Sequence, residues 1–119
     1  SFGQQRLLEI ARALATEPTL LMLDEPGAGL NPAETAELGQ RILQLKQDNM
    51  AILLVEHDMN LVMAVSDRVV VLHHSQKIAE GTPVEIQNNP TVIQAYLGTS
   101  LKRDLRPRPP AGVSREAQH

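Results

Sequence analysis

Apolar residues recur along the first part of the chain with the spacing of a helix. Between Gln4 and Thr16 they stand at three- and four-residue intervals, at Leu7, Ile10, Ala11 and Leu14. Pro18 ends this predicted helix, because proline lacks the backbone N–H that a helix needs. Four consecutive apolar residues follow at 20–23, which predicts a strand buried on both faces and closed by the acidic residues Asp24 and Glu25.

The order of apolar strand, polar end and helix then occurs a second time. After a Gly-Ala-Gly turn, Asn31 can cap a helix that has Pro32 at its first position and Glu34 shortly after it. Ala51–Val55 is a second apolar strand, followed by polar residues and a short helical stretch at 59–65. This alternation predicts an α/β fold with parallel strands, whose functional groups lie at the carboxyl ends of those strands.

The last part of the chain divides into a hairpin, a helix start and a polar tail. Strands are predicted at 68–72 and 77–79 with a short connection, and the Thr-Pro pair at 82–83 begins another capped helix. Beyond this, Arg and Pro are frequent and apolar residues no longer stand in helical or strand register. We expect residues 1–100 to form the folded unit and residues 101–119 to be a disordered tail.

The amino-acid composition limits the binding partners and the cellular compartment that we expect for this protein. The 119 residues carry 11 Lys and Arg against 14 Asp and Glu, and no basic stripe is visible, so direct nucleic-acid binding is not favoured. Absence of cysteine excludes disulfides and thiolate metal sites and agrees with a reducing compartment such as the cytoplasm. The longest apolar runs have four or five residues, so any membrane contact is expected to come through a partner.

Three short motifs stand in a fixed order and carry the candidate chemistry. Ser1–Gln5 opens the first helix, residues 20–26 end the first strand in two carboxylates, and residues 55–58 end the second in Glu-His-Asp. Taken alone, each has an ordinary structural reading as a serine cap, a solvated strand end or a surface histidine. Their order favours one site, whereas the remaining histidines lack such a context.

Together these motifs resemble the ATP-binding-cassette ATPases over about residues 1–98. Ser1–Gln5 is similar to the signature motif of that family, Leu20–Asp24 to its Walker B strand and His57 to its switch histidine. The Gly-Leu-Asn-Pro, Glu-His-Asp-Met, Gly-Thr-Pro and Ala-Tyr-Leu-Gly segments resemble the ATPases of branched-chain amino-acid importers. The resemblance implies a P-loop NTPase-like parallel sheet with flanking helices, followed by a small hairpin and helices.

The resemblance also implies roles for the residues at the two strand ends. Asp24 would hold Mg²⁺ through its water ligands, because this hard cation prefers oxygen ligands. Glu25 would polarise or orient the attacking water as the catalytic carboxylate. His57, the second catalytic residue, would donate a hydrogen bond to the terminal phosphate of ATP while fixing the water and Glu25. We expect these three side chains to converge.

A second group of residues is implied to bind nucleotide. Ser1, Gly3 and Gln4 stand at a helix start, where unpaired N–H groups and the positive end of the helix dipole attract phosphate. In the family this edge touches ATP held by the other subunit. Asn31 stands where relatives often carry Asp in the loop that communicates across the dimer. Ser75 stands in the hairpin turn where many relatives carry Gly, so a left-handed backbone there would be strained.

The sequence contains no Gly-x-x-x-x-Gly-Lys-Ser/Thr run and no preceding strand that could present one. That loop would supply the backbone donors and the lysine that bind the β- and γ-phosphates. We therefore expect the complete subunit to bind and hydrolyse ATP with Mg²⁺, and the present chain, taken as a truncated subunit, to be inactive alone.

The favoured function is that of the ATPase motor subunit of an importer for branched-chain amino acids. Its implied partners are a second ATPase subunit and transmembrane permease subunits, which place it at the cytoplasmic face of the cell membrane. One alternative is an ATPase of the same family that acts in translation or DNA repair. A further alternative is a non-catalytic remnant that serves as a dimerisation module.

Overall fold

A computed structural model describes residues 1–97 of the chain. The helices are α1 (Phe2–Leu14), α2 (Pro32–Gln47), α3 (Met59–Val65), α4 (Pro83–Gln87) and α5 (Pro90–Val92), with a wide helical turn at Ile93–Leu97. The strands are β1 (Leu20–Asp24), β2 (Ala51–Val55), β3 (Val69–His73) and β4 (Gln76–Gly81). In this described part, none of the helices is both long and apolar enough to cross a bilayer. The predicted disordered tail at 101–119, and residues 98–100 of the predicted folded unit, lie outside the described residues.

β1 and β2 form a parallel pair, as the sequence predicts. Their register aligns Leu20 with Ala51 and Asp24 with Val55, so the two strands end at the same level. The residues that follow Asp24 and Val55 therefore emerge side by side at one edge of the sheet.

One hydrophobic cluster supports this sheet from the side of the helices. Its buried members come from α1, β1, α2 and α3, and they are Ile10, Leu21, Leu23, Leu38, Ile42, Leu61 and Val65. At the far end of α2, the Lys46 ammonium donates to the Val65 carbonyl oxygen at 2.8 Å and to Asp67 Oδ1 at 2.9 Å. Packing in this cluster and the contacts of Lys46 together hold α2 against α3.

The prediction that the first strand is buried on both faces is wrong for the described residues. Leu21 and Leu23 are 4% and 9% exposed, whereas Leu20 and Met22 are 49% and 66% exposed. Among the described helices, α1, α2 and α3 pack on one face of this sheet, so every second apolar side chain of β1 lacks a covering layer in this part of the chain. An unbroken apolar run does not reveal this alternation, because it is the pattern of a strand covered on both sides.

β3 and β4 form the predicted antiparallel hairpin. β3 has the predicted length and begins one residue later, whereas β4 has six residues where three were predicted. His73 pairs with Gln76, which leaves only His74 and Ser75 in the turn. Both have positive φ angles, 49° and 61°, as a tight hairpin turn of this kind requires. The second hydrophobic cluster joins this hairpin to α3, α4 and α5, and its buried members are Val62, Val69, Val71, Ala79, Ile86 and Val92.

The predicted helix caps are confirmed. Asn31 Oδ1 accepts from the Glu34 N–H at 2.8 Å, and Glu34 Oε1 accepts from the Asn31 N–H at 3.4 Å, which completes the capping box. Thr82 caps α4 by accepting from the Glu85 N–H at 3.3 Å. Each of these side chains satisfies a backbone donor that has no partner inside its helix.

Candidate functional site

Glu25 follows β1 directly and has an unusual backbone conformation. Its N–H donates to the Val55 carbonyl oxygen at 2.7 Å, which extends the parallel pairing by one residue. Its φ angle of 46° lies in the left-handed region, where a residue other than glycine is strained by about 1 kcal/mol or more. The carboxylate stands at the sheet edge with 53% of the side chain exposed. Strain at a half-exposed carboxylate is typical of a functional position.

His57, two residues after β2, contacts the Glu25 carboxylate. Its Nδ1 lies 3.1 Å from Glu25 Oε1, although the two residues are 32 positions apart in the chain. With the proton on Nδ1 the imidazole donates to Glu25, and Nε2 can also donate only when the ring is an imidazolium. A histidine that donates to a phosphate and to Glu25 at the same time must therefore carry a positive charge.

Asp24 is the last residue of β1, and its side chain lies on the exposed face of the sheet that also carries Met22. In the described part of the chain Asp24 makes no side-chain hydrogen bond or ion pair, so the structure joins Glu25 and His57 but does not join Asp24 to them. The described residues also contain no group of three or more His, Cys, Asp or Glu that could hold a metal. A lone carboxylate fits Mg²⁺ that keeps water and phosphate ligands and does not fit an all-protein metal site.

Glu56 has a larger structural role than the sequence indicates. Its side chain is 1% exposed and lies between the loops that follow β1 and β2. Oε2 accepts from the Gly27 N–H at 3.0 Å, and Oε1 accepts from the N–H groups of His57 and Asp58 at 3.1 and 3.3 Å. The sequence shows a polar residue at a strand end, but only the parallel register places Gly27 beside it.

The four predicted nucleotide-binding residues, Ser1, Gly3, Gln4 and Asn31, lie around the first turns of α1 and α2. Ser1 Oγ accepts from the Gln4 N–H at 3.3 Å, and the Gly3 N–H donates to Glu34 Oε2 at 2.8 Å. Because Glu34 also completes the capping box with Asn31, its carboxylate connects the two helix starts. A cavity of about 200 Å³ lies between them, lined by Ser1, Gly3, Gln4, Leu30 and Glu34 among others.

The expectation of unpaired N–H groups at the start of α1 is wrong for Gly3 and Gln4. The positive end of the helix dipole attracts any nearby anion, and here the Glu34 carboxylate supplies that anion for Gly3. A side chain at Gly3 would collide with this carboxylate, so the close approach depends on glycine. A phosphate could bind the Gly3 N–H only by displacing Glu34.

Comparison with known proteins agrees with these motifs. The family described as ABC transporter matches residues 1–28, and the family described as branched-chain amino acid ATP-binding cassette transporter matches residues 76–101. The chain is 58% identical over 99 residues to the high-affinity branched-chain amino acid transport ATP-binding protein LivG of Salmonella typhimurium, covering 82% of this chain and 39% of that protein. It is 54% identical over 99 residues to the corresponding protein BraF of Pseudomonas aeruginosa, again covering 82% of this chain and 39% of that protein.

The fold is similar to that of solved ATP-binding cassettes. The crystal structure of the ADP conformation of MJ1267, an ATP-binding cassette of an ABC transporter, matches with a TM-score of 0.74 and 34% identity, covering 82% of this chain and 40% of that chain. The present chain spans about two fifths of the length of the relatives it matches. The predicted P-loop NTPase-like α/β fold is confirmed. By its motifs, its fold and its relatives, the chain belongs to the ATP-binding-cassette transporter ATPase family and is similar within it to the ATP-binding proteins of branched-chain amino acid transport.

Proposed function

We propose that this chain is part of the ATP-hydrolysing motor subunit of an importer, and that the imported compounds are branched-chain amino acids. The observation that carries the proposal is the 3.1 Å contact between Glu25 and His57 at the shared edge of two parallel strands. A carboxylate and an imidazole in this arrangement can orient and polarise a water molecule for attack on a phosphoryl group. The choice of cargo is supported by the names of the relatives.

Glu25 would accept a hydrogen bond or a proton from the attacking water, and His57 would fix Glu25 and contact the terminal phosphate. Asp24 would hold Mg²⁺ through water, and the ion would neutralise charge on the β- and γ-phosphates of ATP. The 119 residues contain no phosphate-binding loop, so the complete subunit would supply it from other residues.

The other predicted residues would act at a dimer interface. Ser1, Gly3, Gln4 and Asn31 would contact ATP held by a second ATPase subunit, with the Glu34 carboxylate displaced from the Gly3 N–H as phosphate binds. Closure of the two subunits would be transmitted to transmembrane permease subunits, and the pair would lie at the cytoplasmic face of the membrane. Nucleic acid has no part in this proposal.

The decisive experiment is Glu25→Gln in the complete subunit. We expect kcat for ATP hydrolysis with Mg²⁺ to fall by roughly 10²–10⁴-fold, because the amide cannot accept a proton from water. ATP binding should stay within about threefold of wild type, since no uniform binding contact is lost. Glu80→Gln, the same chemical change in the hairpin, is the matched control and should leave kcat unchanged. Wild-type turnover in the Glu25 variant would refute this role for Glu25.

Two further measurements test the remaining parts of the proposal. Calorimetry on the 119-residue chain alone should detect no ATP binding, and micromolar affinity would contradict the need for an additional phosphate-binding loop. Cells without the gene should lose uptake of leucine, isoleucine and valine. Unchanged uptake of all three would refute the proposed cargo while leaving the ATPase chemistry intact.

A further inference from the structure

We propose that Glu56 is a positioning residue that ties the loop after β1 to the loop after β2 and so holds Glu25 within reach of His57. The inference rests on the proposed ATPase function of that pair. It assigns Glu56 no contact with substrate, because its carboxylate is 1% exposed, accepts from backbone N–H groups of its own chain and has Oε1 3.7 Å from His57 Nδ1.

The buried Glu56 carboxylate requires hydrogen-bond donors in place of water. A charge removed from water is strongly destabilising unless hydrogen-bond donors replace the water. Glu56 receives three backbone donors, from Gly27 at 3.0 Å, His57 at 3.1 Å and Asp58 at 3.3 Å. Hydrogen bonds to charged groups are among the stronger ones in proteins, so this carboxylate fixes the backbone segments that donate to it.

The backbone donors to Glu56 lie close to both members of the Glu25–His57 contact. Gly27 is two residues after Glu25, and His57 directly follows Glu56. The carboxylate therefore restrains the backbone on both sides of the Glu25–His57 contact. That contact itself joins side chains that are 53% and 73% exposed, and exposed pairs of this kind stabilise a geometry by little on their own. The buried carboxylate is the stronger determinant of where the two side chains meet.

A purely local role for Glu56 does not account for these contacts. Asp58 already caps α3, since its Oδ1 accepts from the N–H groups of Asn60 and Leu61 at 3.1 and 3.3 Å. The bond from Gly27 spans 29 positions and does nothing for that helix. Gly27 also suits the approach, because a Cβ there would lie only 3.1 Å from Glu56 Oε2.

The test is Glu56→Gln in the complete subunit. Whichever way the new amide is turned, its NH₂ group faces backbone N–H donors that the carboxylate had satisfied. We expect kcat to fall about tenfold while KM for ATP changes by less than about twofold, since a transition-state geometry is disturbed and ground-state binding is not. Glu80→Gln is again the matched control. Unchanged kcat in a folded Glu56→Gln subunit would overturn the proposal.

A double-mutant cycle separates positioning from general structural support. In a His57→Ala background, Glu56→Gln should lower kcat by less than about twofold further, because the residue through which it acts is gone. The shift in Tm caused by Glu56→Gln should be the same in both backgrounds. A full tenfold loss in both backgrounds would show that Glu56 only supports the fold.

Gly27→Ala gives a second route that leaves the carboxylate in place. The added Cβ presses on Glu56 Oε2, so we expect a smaller loss of kcat that is also suppressed by His57→Ala. Unchanged kcat in both Gly27→Ala and Glu56→Gln would exclude the link between the loops.

Failure of the proposed function can be distinguished from failure of this inference. If the proposed function is wrong, Glu25→Gln has normal turnover. If only the inference is wrong, Glu25→Gln is inactive and Glu56→Gln is active.

Discussion

The parallel pair and the hairpin are built from similar apolar strands, but they depend on the chain in different ways. β1 and β2 are joined through α2, and the contact between Glu25 and His57 spans 32 positions. β3 and β4 are joined by a turn of two residues. The parallel pair can place its end residues only if the helices beneath it are in position, whereas the hairpin forms its contacts locally. The candidate catalytic residues lie at the end of the parallel pair, and we assign none to the hairpin.

The largest expected effect comes from truncating the core under each region. Ile42 in the first cluster and Ile86 in the second are both 1% exposed, so either change to Ala should lower the free energy of unfolding by about 2–5 kcal/mol. Ile42→Ala should in addition lower kcat, because α2 packs against the strand that presents Glu25. Ile86→Ala should leave kcat unchanged. Denaturant unfolding and ATPase assays on the complete subunit measure the two effects.

The same two variants test whether the hairpin is independent of the candidate site. A loss of kcat in Ile86→Ala equal to that in Ile42→Ala would mean that the hairpin takes part in positioning the site. Equal stability losses with separate effects on kcat would instead confirm that only the parallel pair transmits core packing to Glu25.

The sequence predicts the pairing of Glu25 with His57 because both follow apolar strands, and parallel strands end together. It does not predict the environment of Glu56, because the Gly27 donor reaches that carboxylate only through the register of β1 with β2. The Glu34 carboxylate is a similar case. Its capping role can be predicted from the neighbouring residues. Its hydrogen bond from Gly3 spans 31 positions and depends on how α1 lies against α2.

The faces of the strands were harder to predict than their positions. Unbroken apolar runs indicate burial without saying how many layers cover them, so the exposure of Leu20 and Met22 could not be read from the run at 20–23. Backbone strain is predictable at Ser75, because a short hairpin turn requires a left-handed conformation that serine adopts at a steric cost. It was not predictable at Glu25, because nothing local requires a left-handed residue after a strand.

A smaller effect concerns strain, which occurs in both regions. Ser75 has a φ of 61° in the hairpin turn, and Glu25 has a φ of 46° at the strand end. Ser75→Gly should raise the free energy of unfolding by up to about 1 kcal/mol, because glycine adopts this conformation without a steric penalty. We expect kcat to remain unchanged, since the turn contacts no candidate site residue. A decrease in stability, or a loss of kcat, would show that the serine side chain contributes at this turn.

The smallest expected effect is the pH dependence of the ion pairs in the hairpin. Hydrogen bonds from Lys77 and then Arg68 lower the pKa of Glu80 below its ordinary value of 4.5. A lowered pKa stabilises the folded state fully above that ordinary value, and the contribution is lost as the pH falls through the lowered pKa. Wild type should therefore exceed Glu80→Gln in stability at about pH 6 and lose that excess progressively as the pH falls below 4.5, with a smaller excess in high salt. Urea unfolding of both proteins across this range measures the difference. A stability difference that stays constant with pH would mean that the contribution of Glu80 does not come from its charge. A change in kcat of Glu80→Gln at neutral pH would mean that the hairpin influences the catalytic residues at the end of the parallel pair.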